Sequence, residues 1–315
     1  MRAERAVFST VYHVISTPSI LLRAGSGKNL KIPRYARNDC GCARNDRKLS
    51  QNNMCGFTLV EMIMVIVITG ILGGMVAVFL KAPVQQYMDV ARRADMTDIA
   101  DTALRRIGRD LRLALPNSVR VQTSGAGAST VYYLDFLVTS GGGRYRSGAG
   151  GTNDILDFTI ADTSFEVLGA VPTCEANDQV VVYNLGITDA DAYAGDNRTT
   201  CTSVAAPIVN IAAMQFPFES PNARFQIVHE QVRYICDPVA QTLSRYSFAG
   251  NAIEVPSATV PAGGALLAKN VSACTVTYDP IVVAQRSGLV SMNLAITRDG
   301  ETVTLYNATH VSNVP

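Results

Sequence analysis

The sequence is poor in the residues that commonly carry out catalysis or bind nucleic acid. After residue 56 it contains two histidines, His229 and His310, and two lysines, Lys81 and Lys269. Residues 57–315 hold seventeen Lys and Arg against twenty-three Asp and Glu, a net charge of −6 (17 − 23). A region of this charge is badly matched to a phosphate backbone, so we expect no nucleic-acid partner.

Catalytic motifs are missing as well. The chain lacks the G-x-S-x-G of a nucleophile elbow, the H-E-x-x-H of zinc proteases and the pair C-x-x-C. The glycine-rich stretch SGGGRYRSGAGG, residues 140–151, lacks the lysine of a phosphate-binding loop and predicts a flexible loop. We therefore expect neither an enzyme nor a bound cofactor.

One acidic loop is a weak candidate for metal binding. The stretch GITDADAYAGDNR places Asp189, Asp191 and Asp196 close together in the chain. Carboxylate oxygens at this spacing could hold Ca²⁺, but the glutamate and the spacing of an EF-hand are absent. We favour a solvated acidic loop over a calcium site.

Charge is nearly absent from residues 57–80, where the only ionisable side chain is that of Glu61. About 20 apolar residues, rising 1.5 Å each, cross a bilayer core. A secretory signal has an apolar core of only about 7–15 residues and then a small-residue cleavage site, which is missing here. The run predicts a membrane helix. Glu61 either lies at headgroup depth, where a carboxylate costs little, or neutralises a cation inside an assembly.

The segment before this helix is basic. Residues 1–56 carry ten Lys and Arg and three Asp and Glu, a net charge of +7 (10 − 3). Positive charge ahead of a membrane helix keeps that side cytoplasmic, so we expect the rest of the chain to be exported. The segment has no helical or strand period. We expect a leader that is removed, with translation beginning nearer to Arg47 and Lys48.

Residues 81–116 continue the helix with an amphipathic pattern. Pairs Asp101/Arg105 and Arg106/Asp110 are spaced to interact across its outer face, and Pro116 is expected to end it after Leu115. Apolar or small side chains recur at three- and four-residue steps and predict a buried stripe: Tyr87, Val90, Ala94, Thr97, Ala100, Leu104, Ile107, Leu111 and Ala114.

From residue 117 to residue 315 the pattern changes to alternation with a period of two. Glycine-rich and polar turns separate nine segments that we expect to be strands: VRVQT, VYYLDFLV, ILDFTI, QVVVYNL, RFQIVHEQVRYIC, TLSRYSF, VSACTVTYD, LVSMNLAIT and ETVTLYNATHV. The prediction is an α+β fold, in which the amphipathic half of a long N-terminal helix packs on a mostly antiparallel β domain.

The hexapeptide from Gly56 to Glu61, GFTLVE, followed by an apolar helix, resembles the class III signal of type IV pilins and pseudopilins. The resemblance implies a pilin-like fold and cleavage by a prepilin peptidase between Gly56 and Phe57, with methylation of the new amino terminus of Phe57. It also implies that Glu61 pairs with the amino terminus of a neighbouring subunit. The implied partners are other minor and major pilins and the assembly platform of the inner membrane, which the chain crosses once before it enters the pilus.

Three further stretches indicate a branch of this family. Residues 106–121, RIGRDLRLALPNSVRV, resemble the helix exit of large minor pilins and of J-type pseudopilins. Residues 271–279, VSACTVTYD, and 310–315, HVSNVP, resemble O-type minor pilins of the mannose-sensitive haemagglutinin (MSHA) pilus. They imply a minor pilin that helps to initiate or cap such a pilus. A J-type pseudopilin of a type II secretion system and a tip adhesin are the alternatives.

Four cysteines follow residue 56, namely Cys174, Cys201, Cys236 and Cys274. In an exported domain they suggest two disulfides. Three pairings are possible, and we favour the pairing of sequence neighbours, Cys174–Cys201 and Cys236–Cys274. Four buried free thiols are the alternative, whereas a zinc site would need closer spacing.

Overall fold

The structure, a computed structural model, describes residues 57–283 and 287–315, with side chains described outside residues 281–286. The expected leader, including Gly56, lies outside the described residues. The chain divides into two units, residues 1–63 and 64–315. The whole β domain belongs to the second unit.

The described residues contain one α-helix and twelve strands, with short 3-10 turns at Gly127–Ser129 and Gly250–Ala252. The helix, α1, is Leu59–Leu111. The strands are β1 (Arg120–Ser124), β2 (Val131–Arg144), β3 (Asp162–Glu166), β4 (Gln179–Val182), β5 (Arg198–Ala205), β6 (Ile208–Met214), β7 (Arg224–Asp237), β8 (Thr242–Ala249), β9 (Ala265–Lys269), β10 (Val271–Val283), β11 (Ser287–Arg298) and β12 (Glu301–Ser312).

The strands form two sheets in which every pairing is antiparallel. The larger sheet has nine strands in the order β1-β2-β7-β4-β5-β6-β3, and β8 pairs with β7 and with β9. The smaller sheet is β10-β11-β12. Together with α1, this confirms the predicted α+β fold.

The helix ends at Leu111, four residues before the predicted end. The backbone of the next residues turns to β2 instead: Thr139 N–H donates to Leu113 O at 2.9 Å, and Leu115 N–H donates to Leu137 O at 2.7 Å. Because Pro116 also disfavours helical geometry at the residue before it, these groups gain more from the sheet than from another helical turn.

The strand predictions were wrong in three respects. ILDFTI is not a strand, because Asp157 accepts the backbone N–H and the hydroxyl of Thr159 at 2.7 and 2.6 Å. Such side-chain bonds compete with a ladder. Strands β3, β5, β6 and β9 were not predicted, since their sequences lack a clean alternation. The predicted flexible loop at residues 140–151 is partly strand, because β2 continues to Arg144.

The main core lies where the second half of α1 meets both sheets. Met96, Ala103 and Leu104 are each at most 3% exposed, and they pack in one cluster with side chains from β2, β7, β10 and β11. The predicted stripe is confirmed at its far end only. Its buried members are Ala100, Leu104, Ile107, Leu111 and Ala114, whereas Tyr87, Val90, Ala94 and Thr97 are exposed.

A second core fills the region between β3, β4, β5, β6 and β7. Phe165, Val209 and Phe225 are each at most 1% exposed there. The Phe165 and Phe225 rings meet edge to face, with centroids 5.0 Å apart, an arrangement that aromatic quadrupoles favour. This core contains no residue of α1. It stabilises the end of the large sheet formed by β5, β6 and β3.

Candidate functional site

The start of α1 is a helix N-terminus stabilised by a side chain. The Thr58 hydroxyl oxygen accepts the backbone N–H of Glu61 at 3.2 Å, and the Thr58 carbonyl accepts that of Met62 at 3.2 Å. The spacing Thr-x-x-Glu is that of a capping box, in which a threonine satisfies an orphan donor of the first turn. Thr58, three residues before Glu61, therefore fixes the start of the helix at Leu59.

Glu61 and Phe57 are left open to the surroundings. Phe57 is 77% exposed, and Glu61 is exposed too. The Glu61 carboxylate makes neither a hydrogen bond nor an ion pair with any residue that the structure describes. A carboxylate in the first turn is favoured by the helix dipole and can accept a cation from another molecule.

The apolar stretch that follows has no cover within the β domain. Its most hydrophobic 18-residue window has a mean hydropathy of 2.7, and none of that window is buried. Side chains such as Ile66, Leu72 and Phe79 are 64%, 55% and 80% exposed. A helix that is apolar on all sides requires lipid or other apolar helices around it. The stretch anchors the chain in a membrane as a single span.

The other half of α1 is held to the β domain by a buried charge network around Asp110. Its carboxylate oxygen Oδ2 accepts the Tyr234 hydroxyl at 2.7 Å and Arg245 Nε at 2.9 Å. Arg245 also donates to Glu230 at 2.6 Å, and Arg106 lies 3.3 Å from Asp110 Oδ1. Burial raises the pKa of Tyr234. Because every charge in the network has a partner, the helix is fixed in one position on β7 and β8.

The sequence predicted the spacing of this network but not its burial. Arg106 and Asp110 do pair, as do Asp101 and Arg105 at 2.7 Å. We expected both pairs on a solvated face, but Asp110 is only 8% exposed. Its position between the stripe residues Ile107 and Leu111 was the available signal that it faces the domain.

The turn between β11 and β12 forms ion pairs with α1 just before the helix leaves the domain. Arg92 lies 3.2 Å from Asp299, Arg93 lies 3.0 Å from Glu301, and Arg298 lies 3.1 Å from Asp95. We name these six residues the collar. Four of the six side chains are at least half exposed, so the contribution of these pairs to stability is small, but their crossed charges specify the position of the turn on the helix.

The four cysteines form two disulfides. Cys174 is bonded to Cys201, and Cys236 is bonded to Cys274. The second links β7 in the large sheet to β10 in the small sheet, and both of its cysteines belong to the core that covers α1. The first ties the segment before β4 to β5.

The three aspartates of the acidic loop line one open cavity of about 630 Å³. Two of the three carboxylates are used within the loop and its surroundings: Asp191 accepts the N–H of Tyr193 at 3.1 Å and an Arg120 N–H at 3.5 Å, and Asp196 accepts the N–H of Asp191 at 3.4 Å. Within the described residues no group of three His, Cys, Asp or Glu is placed to hold a metal ion. The calcium interpretation therefore gains no support from the geometry.

His229 is part of an ion pair. Its Nδ1 lies 2.8 Å from the buried Asp178 carboxylate, and this hydrogen bond raises the pKa of His229 above its ordinary value. The other Asp178 oxygen accepts the N–H of Glu175 at 2.8 Å. The pair links the loop after Cys174 to β7, which is a structural task.

The described residues define a membrane-anchored α+β protein. The apolar first half of its helix extends beyond the disulfide-linked β domain and is not covered by it. Residues 51–77 match the family described as the prokaryotic N-terminal methylation motif. This motif is the class III signal of type IV pilins, and its match supports a type IV pilin-like protein. Comparison with curated proteins and with solved structures gave no match to the chain.

Proposed function

We propose that the protein is a minor pilin that takes part in the assembly of an MSHA-type type IV pilus, in its initiation or tip complex. The observation that carries this proposal is the length of uncovered helix. Large apolar side chains stay exposed from Leu59 to Val90, which is about 48 Å of helix at 1.5 Å per residue. A bilayer core takes up about 30 Å. The remainder supports packing against the stems of other subunits.

The proposed processing follows the motif. The prepilin peptidase cuts between Gly56 and Phe57 and methylates Phe57, with the basic segment on the cytoplasmic side of the inner membrane and the β domain in the periplasm. A glycine before the cut lets an extended backbone enter a narrow site without a Cβ clash. Glu61 then meets the amino terminus of a neighbouring subunit. Since an unpaired buried charge costs several kcal/mol, about 3–5, subunits settle where the two charges meet.

The branch assignment is supported by a contact between the two stretches that suggested it. Tyr278, at the end of VSACTVTYD, donates its hydroxyl to Asn313 Oδ1 at 3.2 Å, and Asn313 Nδ2 donates to the carbonyl of Pro280 at 3.1 Å. Asn313 belongs to HVSNVP and is 6% exposed. The two stretches thus form one structural feature at the edge of the small sheet. Their joint resemblance to O-type minor pilins carries more weight than two separate matches.

The processing step is tested by mass spectrometry of the protein purified from cells with and without the peptidase. We expect a chain that begins at a methylated Phe57 in the first case and a longer chain in the second. A longer chain in both would end the proposal. Glu61→Gln keeps the side-chain size and is expected to be processed but to enter filaments at least about tenfold less often, with Asp89→Asn as the control.

Membership of a pilus is tested by cross-linking in intact cells, followed by identification of the linked proteins. We expect pilins and the pilus platform. Recovery of secretion-system components instead would favour the J-type pseudopilin. Position is tested by immunogold labelling: we expect label at filament ends, because a β domain of this size is more easily accommodated where crowding is relaxed. Even labelling along filaments would contradict the tip position.

A further inference from the structure

Two arginines of the β domain face each other without a counter-charge. Of the fourteen arginines whose side chains the structure describes, nine form ion pairs. Two of the other five, Arg144 and Arg224, are direct partners in the register between β2 and β7. They occupy the last residue of β2 and the first residue of β7. The sheet therefore ends in a double positive charge.

This arrangement is unfavourable in the isolated domain. Directly opposite side chains lie on the same face of a sheet, with Cβ atoms about 4.5–5.5 Å apart, and like charges there destabilise the pairing. Arg144 Nε donates to the Asn222 carbonyl at 3.2 Å, whereas the Arg224 side chain makes no hydrogen bond to any described residue. Both arginines are exposed. Two guanidinium groups with unused donors are thus held together in a domain that is otherwise acidic.

A groove adjoins the two arginines. In the same register Gln226 is opposite Gly142, on the face that carries Arg144 and Arg224. The open cavity has a volume of about 320 Å³ and is lined by Gly142, Gly143, Arg144, Arg224, Phe225 and Gln226.

The chemistry of the rim narrows the choice of ligand. Phe225 is 1% exposed, so the rim presents two guanidinium groups and one carboxamide but no apolar side chain. Planar guanidinium groups bind carboxylates through two parallel hydrogen bonds. The Gln226 carboxamide can donate to and accept from hydroxyl groups. A hydroxylated acid would satisfy each of these groups.

We propose that this groove binds a carboxylate-bearing saccharide unit of the uronic acid class. The carboxylate lies between the Arg144 and Arg224 guanidinium groups and relieves their repulsion, and ring hydroxyls bond to Gln226. The volume exceeds that of a carboxylate alone and lies at the lower end of the range for small-molecule sites. The inference is independent of the proposed role in pilus assembly.

The test is calorimetric titration of the full chain, purified in detergent, with a trimer of galacturonic acid at constant ionic strength. A neutral galactose trimer of equal length is expected to bind at least about tenfold more weakly, since it lacks the charge-assisted bonds. Arg224→Gln is expected to cost at least about tenfold in affinity, and the double variant Arg144→Gln/Arg224→Gln more. Arg112→Gln is the matched control, because Arg112 is also exposed and forms no ion pair within the described residues, and its affinity should stay within about twofold.

Folding is checked separately from binding. The Arg224 side chain makes neither a hydrogen bond nor an ion pair within the described residues, so Arg224→Gln should leave the midpoint of thermal unfolding unchanged or slightly raised. Absence of binding by the folded wild-type chain would overturn the proposal, as would binding that the double variant retains. Inorganic sulfate that binds as tightly as the saccharide would reduce the groove to a bare anion site. A glutamate tripeptide that binds as tightly would replace the saccharide by a protein partner, and either result would refute the assignment.

Discussion

The two halves of α1 have opposite relations between composition and environment. Residues 59–80 contain a single charged side chain, that of Glu61, and yet every one of these residues is exposed. Residues 96–111 carry several charges, and yet they include the most buried part of the helix, with Ala100 fully buried and Asp110 at 8% exposure. Burial of a helix segment therefore depends on whether other parts of the chain pack against it. The apolar half has no such contacts within the β domain and needs partners outside the chain, whereas the charged half packs against both sheets.

Among these substitutions, we expect the largest loss of stability at Asp110. Asp110→Ala leaves Tyr234 and Arg245 without their shared acceptor, and we expect a loss of about 3–5 kcal/mol in the free energy of unfolding. Asp101→Ala removes an exposed partner of Arg105 from the same helix and should cost no more than about 1 kcal/mol. Urea unfolding in detergent, followed by circular dichroism of the β domain, measures both. Equal losses would show that the Asp110 network does not hold the helix.

Apolar truncation gives the second largest effect. Leu104 is 3% exposed and Leu72 is 55% exposed. Leu104→Ala should cost about 3 kcal/mol through lost burial and a cavity, whereas Leu72→Ala should change the unfolding free energy of the domain by less than about 0.5 kcal/mol. The same urea experiment applies. A large effect of Leu72→Ala would mean that the first half of the helix supports the domain directly.

The collar is expected to contribute little. Arg298→Ala removes a pair in which both side chains are at least half exposed, and we expect a loss of about 0.2–1 kcal/mol that shrinks as salt is raised. Arg109→Ala is the control, because Arg109 is an exposed arginine of α1 without an ion pair among the described residues. A salt-independent loss of several kcal/mol would identify the collar as a buried, cooperative element.

The smallest effect concerns pH. The hydrogen bond to Asp178 raises the pKa of His229 in the folded state above its ordinary value of about 6.5. Protonated His229 therefore stabilises the fold at pH values below 6.5, and this stabilisation is lost as the pH rises through the raised folded value. Thermal midpoints of wild type and His229→Gln should converge as the pH is raised. A constant difference between pH 5 and 9 would contradict a titrating pair.

Local sequence signals predicted the elements whose environment follows from their own residues. Strands β2, β7, β11 and β12 alternate clearly enough to be recognised, and the apolar run of α1 needs no context. Strands β5 and β6 were missed because their burial pattern breaks after four residues, a consequence of lying at one end of the large sheet. ILDFTI alternates equally well but is held as a loop by the Asp157 side chain.

The candidate assembly site was predicted in outline. Glu61 is the sixth residue of GFTLVE, a motif that depends only on local spacing, so the sequence was sufficient to propose its role. The capping of the helix by Thr58, the third residue of that motif, was not predicted. The partners of Asp110 on β7 and β8 and the pairing of Arg144 with Arg224 could not be found in this way. Each depends on strands far away in the chain, and Arg144 is eighty residues from Arg224 (224 − 144).

By itself the sequence determined an apolar helix that anchors the chain in a membrane, an acid in the first turn of that helix and a β-rich domain, because hydrophobic length and side-chain alternation are properties of neighbouring residues. The tertiary structure alone decided where the helix ends, which of its faces is buried and which charges remain without partners. These depend on hydrogen bonds and contacts between distant segments, whose free energies exist only once both sheets have closed around the second half of α1.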